Sequence, residues 1–198
     1  MNTILGTIAI ASILFSIHYE QGIQAKMTTG NDKKEAFLAG GCFWGMEHFL
    51  GKLDGVIDTD VGFMGGKAKT KVNYYFVQTG MTNYAETVRV VYDSNKLSYR
   101  NLIRYFFRIH DPTTLNRQKN DIGKQYRSTV FTNSEEEKRI VKDLIEKIDK
   151  GKYFENPIVT TIEPNNGYHK AGEGHQNYLR KNPNGYNCHL LRPDFKFK

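Results

Sequence analysis

Two cysteines, Cys42 and Cys188, bracket most of this 198-residue chain. Their separation matches no zinc or haem pattern, which leaves a disulfide or a reactive thiol pair as the chemistries open to them. Cys42 is the more informative of the two. It follows Gly40-Gly41 and precedes Phe43-Trp44, and apolar residues then recur at helical spacing (Phe43, Met46, Phe49, Leu50, Leu53) until Asp54-Gly55. The spacing predicts a helix with Cys42 at its N-terminus, where unpaired backbone N–H groups and the positive end of the helix dipole favour thiolate and lower the pKa. A free cysteine in other settings is usually a small buried hydrophobe. His48, His110, His169, His175 and His189 show no ligand spacing, so no metal is expected.

The elements that must hold Cys42 can be read on either side of it. Glu35 to Ala39 reads as a short buried strand that meets the tight Gly40-Gly41 turn. Val56 to Phe63 and Glu86 to Tyr92 read as two more strands, separated by a long polar loop rich in Gly and Tyr, whose length points to function. Ser98 caps a predicted helix with the face Leu102, Ile103, Phe106, Phe107 and Ile109, ended by His110-Asp111-Pro112. Arg127 to Thr132 is a strand, Ser134 and Glu137 form a capping box for a helix ending before Gly151, and Pro157 to Ile162 is a last strand candidate. The order predicts an α+β fold: a split βαβ (ferredoxin-like, β-α-β-β-α-β core) two-layer sandwich with a mostly antiparallel sheet, extended loops and a C-terminal tail.

Composition is that of one soluble domain: 39% hydrophobic and 25% charged residues exclude disorder and a multi-span membrane protein. The net charge of +7 comes from scattered Lys and Arg without a basic block, so nucleic-acid binding is not expected. Residues 1–25 contain no Lys or Arg, and Ile4 to Ile17 is an apolar run too short for an ordinary membrane span. We read residues 1–25 as an export signal, 26–34 as a linker and 35–198 as the working domain. That reading expects a periplasmic or secreted monomer with no stable membrane association once the signal is removed; an uncleaved N-terminal anchor is the alternative.

Gly41-Cys42-Phe43-Trp44-Gly45 resembles the active-site motif of the A-type peptide methionine sulfoxide reductases. Further blocks resemble that family in the same order: Thr82-Asn83-Tyr84-Ala85-Glu86, His110-Asp111-Pro112-Thr113, and the run from Arg117 to Ser128. The similarity covers roughly residues 35–188, and several ordered blocks are far more specific than one short motif. It implies a reductase that returns methionine S-sulfoxide, in oxidised proteins or free, to methionine, with no cofactor. Cys42 would attack the substrate sulfur, Phe43 and Trp44 would form the slot for its methyl group, and Glu86 would donate the proton. Tyr74, Asp121 and Tyr126 match positions that hold the sulfoxide oxygen. Tyr74 is preferred to Tyr75 because it keeps the spacing to Glu86. The nucleophile would become a sulfenic acid and condense with Cys188, in a Gly-, Asn- and Pro-rich tail that reads as mobile; thioredoxin or an exported thioredoxin-like reductant would then open the disulfide.

The sequence also departs from the family pattern. Asn83-Tyr84 stands where Gly-His is usual, one extra residue lies between Gly66 and Tyr74, and Asn187 separates Tyr186 from Cys188. Two competing classes are a secreted binding module with a permanent Cys42–Cys188 disulfide and a cysteine hydrolase. The second would need a histidine base for which no local motif is present.

Overall fold

The computed structural model describes residues 32–67 and 72–197. The expected export segment and most of the expected linker lie outside the described residues. Strand β1 (Lys33–Gly40) begins two residues before the predicted start, and its last five residues are buried on both faces. Helix α1 (Phe43–Leu50) follows directly, then β2 (Val56–Met64), α2 (Tyr74–Gln78), β3 (Ala85–Asp93) and α3 (Tyr99–Ile109). The second half holds a two-stranded hairpin of β4 (Arg117–Gln118) and β5 (Asp121–Ile122), a 3-10 turn (Lys124–Tyr126), β6 (Ser128–Thr132) and α4 (Glu135–Lys150). Short β7 (Thr161–Pro164), β8 (His169–Lys170) and α5 (Tyr178–Lys181) complete it.

The fold is α+β around a six-stranded sheet in the order β7-β6-β1-β3-β2-β8. Every pairing is antiparallel except β6 with β7, so the sheet is mixed. Alternation along the strands gives the sheet two faces. One face presents Leu38, Val61, Phe63, Val88 and Val130 to the helices, where they merge with Met46, Leu102, Phe106 and Leu144 into the main core. The other carries Phe37, Ala39, Met64, Ala85 and Phe131 and is covered by Tyr168, whose ring lies 5.5 Å from that of Phe37.

The strand expected at Pro157 to Ile162 instead starts at Thr161. The reason lies in the backbone donors ahead of it. The Ile158 N–H goes to Asp149 Oδ1 (3.1 Å) and the Val159 N–H to the Pro112 carbonyl (2.9 Å), leaving neither for a ladder. The long loop between β2 and β3 contains α2, which Asn73 caps by accepting the Phe76 N–H at 3.1 Å. The C-terminal segment beyond α5 has no regular structure but makes packing contacts with the domain. It runs along α3, with the Arg192 N–H donating to the Arg108 carbonyl (2.9 Å) and Phe195 buried.

Candidate active site

Cys42 sits where β1 turns into α1. Gly41 makes the turn at φ +111°, a region side chains avoid, and an added Cβ there would come within 2.6 Å of the Gln118 side chain. Cys42 is the N-cap residue, as expected, but only 7% of its surface is exposed. The Cys42 side chain makes no cap hydrogen bond, whereas the Phe43 N–H of the first turn donates to Glu86 Oε2 at 3.0 Å.

The expected lowering of the Cys42 pKa is reversed. Burial pushes the thiol well up, the nearby Glu86 carboxylate adds to the rise, and the Trp44 N–H offsets only part of it. A helix end stabilises a thiolate by about 0.3–2 kcal/mol, less than removing it from water costs. Glu86 is only 2% exposed, and burial, opposed by the Phe43 N–H, raises its pKa to about 8. At neutral pH the site therefore rests as a neutral thiol beside a protonated carboxyl, and the charge of Glu86 that raises the thiol is then largely absent.

Around this pair the structure gathers every other expected residue. The Tyr74 hydroxyl feels both Glu86 and Cys42, and burial followed by those charges raises its pKa to about 12. Tyr75 is 81% exposed, whereas Tyr74 is partly buried against the core. Burial also raises the pKa of Tyr126, on the 3-10 turn, followed by the influence of Glu86, Asp121 and Tyr74. Asp121 Oδ1 accepts the Tyr186 hydroxyl at 3.1 Å, and its carboxylate lies near the Cys188 thiol. Cys188 is 3% exposed, and the Cys42 N–H lies within hydrogen-bond reach of its sulfur. Burial, then Asp121, raises the Cys188 pKa to about 12. Both cysteines are free thiols.

An aromatic wall closes one side. Phe43 is fully buried, stacks with Tyr74 and lies tilted against Phe63, and so belongs as much to the core as to a slot. Trp44 is half-buried and lies flat on Tyr178, with ring centroids 3.8 Å apart at 15°. The ring of His175 lies 4.3 Å from that of Tyr74 and 5.8 Å from that of Trp44. The sequence reading missed His175, Tyr178 and Tyr186 as wall residues. It also missed the clamps behind them: the Gln176 side chain bonds both backbone groups of Val61 and the Ala171 carbonyl, and Glu47 accepts the Asn177 N–H at 2.8 Å. No periodicity marks these residues, because they act through bonds to distant backbone. Trp44 Nε1, Asp121 Oδ2 and His175 Nδ1 are buried without a protein partner, a concentration of unused polar atoms that is rare outside binding sites.

A cleft of about 280 Å³ opens behind Trp44, between Glu47, Lys52, Asp58 and Arg180, and does not include Cys42. Among the described residues, no three His, Cys, Asp or Glu side chains are grouped to hold a metal ion.

The family profile described as peptide methionine sulfoxide reductase matches residues 34–196. The chain belongs to that family. A Nocardia farcinica protein named peptide methionine sulfoxide reductase MsrA is 42% identical over 83% of this chain and 94% of its own. The crystal structure of Mxr1 from Saccharomyces cerevisiae in reduced form is 40% identical and superposes with a TM-score of 0.76, covering 83% of this chain and 95% of that one. The same yeast protein in complex with Trx2 superposes with a TM-score of 0.55 at 29% identity, covering 85% of this chain and 97% of that one. This chain is thus an A-type reductase, and Cys42, Tyr74, Glu86, Asp121, Tyr126 and Cys188 lie close enough to influence one another's charge.

Proposed function

We propose that this reductase returns methionine S-sulfoxide, free or in oxidised proteins, to methionine, with Cys42 as nucleophile and Glu86 as acid. The observation that carries the reading is at the first turn of α1: the Phe43 N–H holds Glu86 Oε2 at 3.0 Å, next to Cys42 at the N-cap of the same helix. A thiol and a protonated carboxyl so placed can act on adjacent atoms of one S=O group. The Cys42 sulfur attacks the sulfoxide sulfur as Glu86 gives its proton to the oxygen. The substrate S–O bond breaks, the hydroxyl passes to Cys42 as a sulfenic acid, and the thiol proton returns to Glu86. The substrate sulfur is reduced by two electrons and Cys42 is oxidised by two. Tyr74 and Tyr126 donate O–H bonds to the oxygen as charge gathers on it, and Asp121 orders that side of the site. Trp44, with the edge of Phe43, receives the methyl group.

Cys188 then attacks the sulfenic sulfur, water leaves, and a Cys42–Cys188 disulfide remains. A thioredoxin-type dithiol reopens it by exchange; the likeness to the yeast protein bound to Trx2 supports that partner. The apolar run from Ile4 to Ile17 supports export and a site of action outside the cytoplasm, and the N-terminus of the mature protein tests it. We also read β1-α1-β2-β3-α3-β6 as a split βαβ unit, supported by the order β6-β1-β3-β2 within the sheet.

Single turnover is the test. The reduced protein mixed with methionine sulfoxide should release about one methionine and lose two thiols. Cys42→Ser should release none, and methionine from that variant at the native rate would remove Cys42 from the role. Cys188→Ser should give the first methionine and then stall with thioredoxin as reductant.

A further inference from the structure

His189 is buried beside the nucleophile, yet the reaction just described does not use it. Its Nε2 lies 3.0 Å from the Cys42 carbonyl oxygen and its Nδ1 lies 3.1 Å from the Ile109 carbonyl oxygen, at the end of α3. The space it fills is made by two glycines. A Cβ on Gly45 would stand 2.3 Å from the His189 ring and 2.5 Å from Asn187 Oδ1, and one on Gly41 would stand 3.1 Å from the ring. Asn187 Oδ1 accepts the His189 N–H at 2.9 Å, closing a tight turn around Cys188. Asn187, which separates Tyr186 from Cys188, is therefore the residue that builds this turn.

We propose that His189 is a positioning residue for the second sulfur: seated in the Gly41–Gly45 notch and tied to the Cys42 carbonyl, it holds its neighbour Cys188 against the nucleophile. The inference rests on the reading of Cys188 as the resolving thiol. The rest of the tail has its own anchors, Tyr186 on Asp121 before the turn and Arg192 on Arg108 after it. Loss of His189 therefore frees the turn without releasing the tail. The step it serves joins the two sulfurs and breaks the S–OH bond of the Cys42 sulfenic acid, with the thiol proton and the hydroxyl leaving as water.

The experiment follows methionine release and loss of the second thiol separately in one turnover. His189→Phe keeps the ring volume and removes both nitrogens, whereas His189→Gln restores a donor. Gly45→Ala displaces the turn from the other side and leaves His189 in the chain. In His189→Phe and Gly45→Ala, methionine release should keep its native rate while disulfide closure slows about tenfold or more, as for a reacting group misplaced by about 1 Å; His189→Gln should recover part of the closure rate. Closure at the native rate in both variants overturns the proposal. Loss of the methionine burst in both also overturns it, because His189 would then serve Cys42 instead of Cys188. Absence of methionine from the native protein would instead refute the reading of the site itself.

Discussion

A carboxyl shielded from water, with one backbone N–H against it, keeps its proton past neutrality, and Glu86 at about 8 is such a group. Its acid form is present below that pH, so the rate of the first step should fall as pH rises through about 8; a rapid-quench series from pH 6 to 10 checks this. Glu86→Gln should lower that rate by about 10²–10⁴-fold. Stability should move the same way. The folded pKa lies above the unfolded one, so the native contribution is complete below about 4.5 and is lost as pH rises through about 8. Glutamine does not titrate, and the melting-temperature advantage of Glu86→Gln should widen between pH 5 and pH 9. At this scale the sequence placed Cys42 at a helix N-terminus, where it stands, and misjudged its charge. Helix-end position is a local property visible in Gly41-Cys42-Phe43, whereas the depth of burial depends on Gln118, Cys188 and His189 arriving from elsewhere.

Helix α1 is held at both its ends by segments distant in sequence, and the segment from Ala171 to Tyr178 shows how. Gln176 makes three hydrogen bonds to backbone groups of Val61 and Ala171 and so pins His175 and Tyr178 against Trp44. Gln176→Leu should cost about 2–5 kcal/mol, since buried backbone groups lose their partners, and should raise KM more than it lowers kcat. Urea unfolding and steady-state kinetics on the same variant separate the two effects. Elements with their own signals were legible: Ser98 and Ser134 accept the Asn101 and Glu137 N–H groups at the starts of α3 and α4, as predicted. Helices α2 and α5, five and four residues long, and the β4–β5 hairpin were not. Pieces that short have little intrinsic stability and exist through tertiary bonds, such as that from Gln125 to the Gln78 carbonyl beside α2.

Across the whole molecule, the two sulfurs come together from opposite ends of the described sequence, with strands β2 to β8 and helices α1 to α5 between them along the chain. Closing that loop should restrict the unfolded chain and stabilise the oxidised form by up to about 5 kcal/mol. The oxidised protein should melt above the reduced one by up to roughly 10–20 °C, and equal melting temperatures in calorimetry would show that the bridge strains the fold as much as it restrains the unfolded chain. The sequence reading placed both cysteines and the order of the main strands, but not the packed course of the tail between Tyr186 and Phe195, which follows the surface of α3 and has no periodicity of its own. Trp44 is the chain's single tryptophan, and it lies face to face with Tyr178 beside the unpartnered Nδ1 of His175. Its ultraviolet emission therefore originates entirely from that wall, so a spectrofluorometer can follow substrate entry and departure in the natural protein with no dye attached.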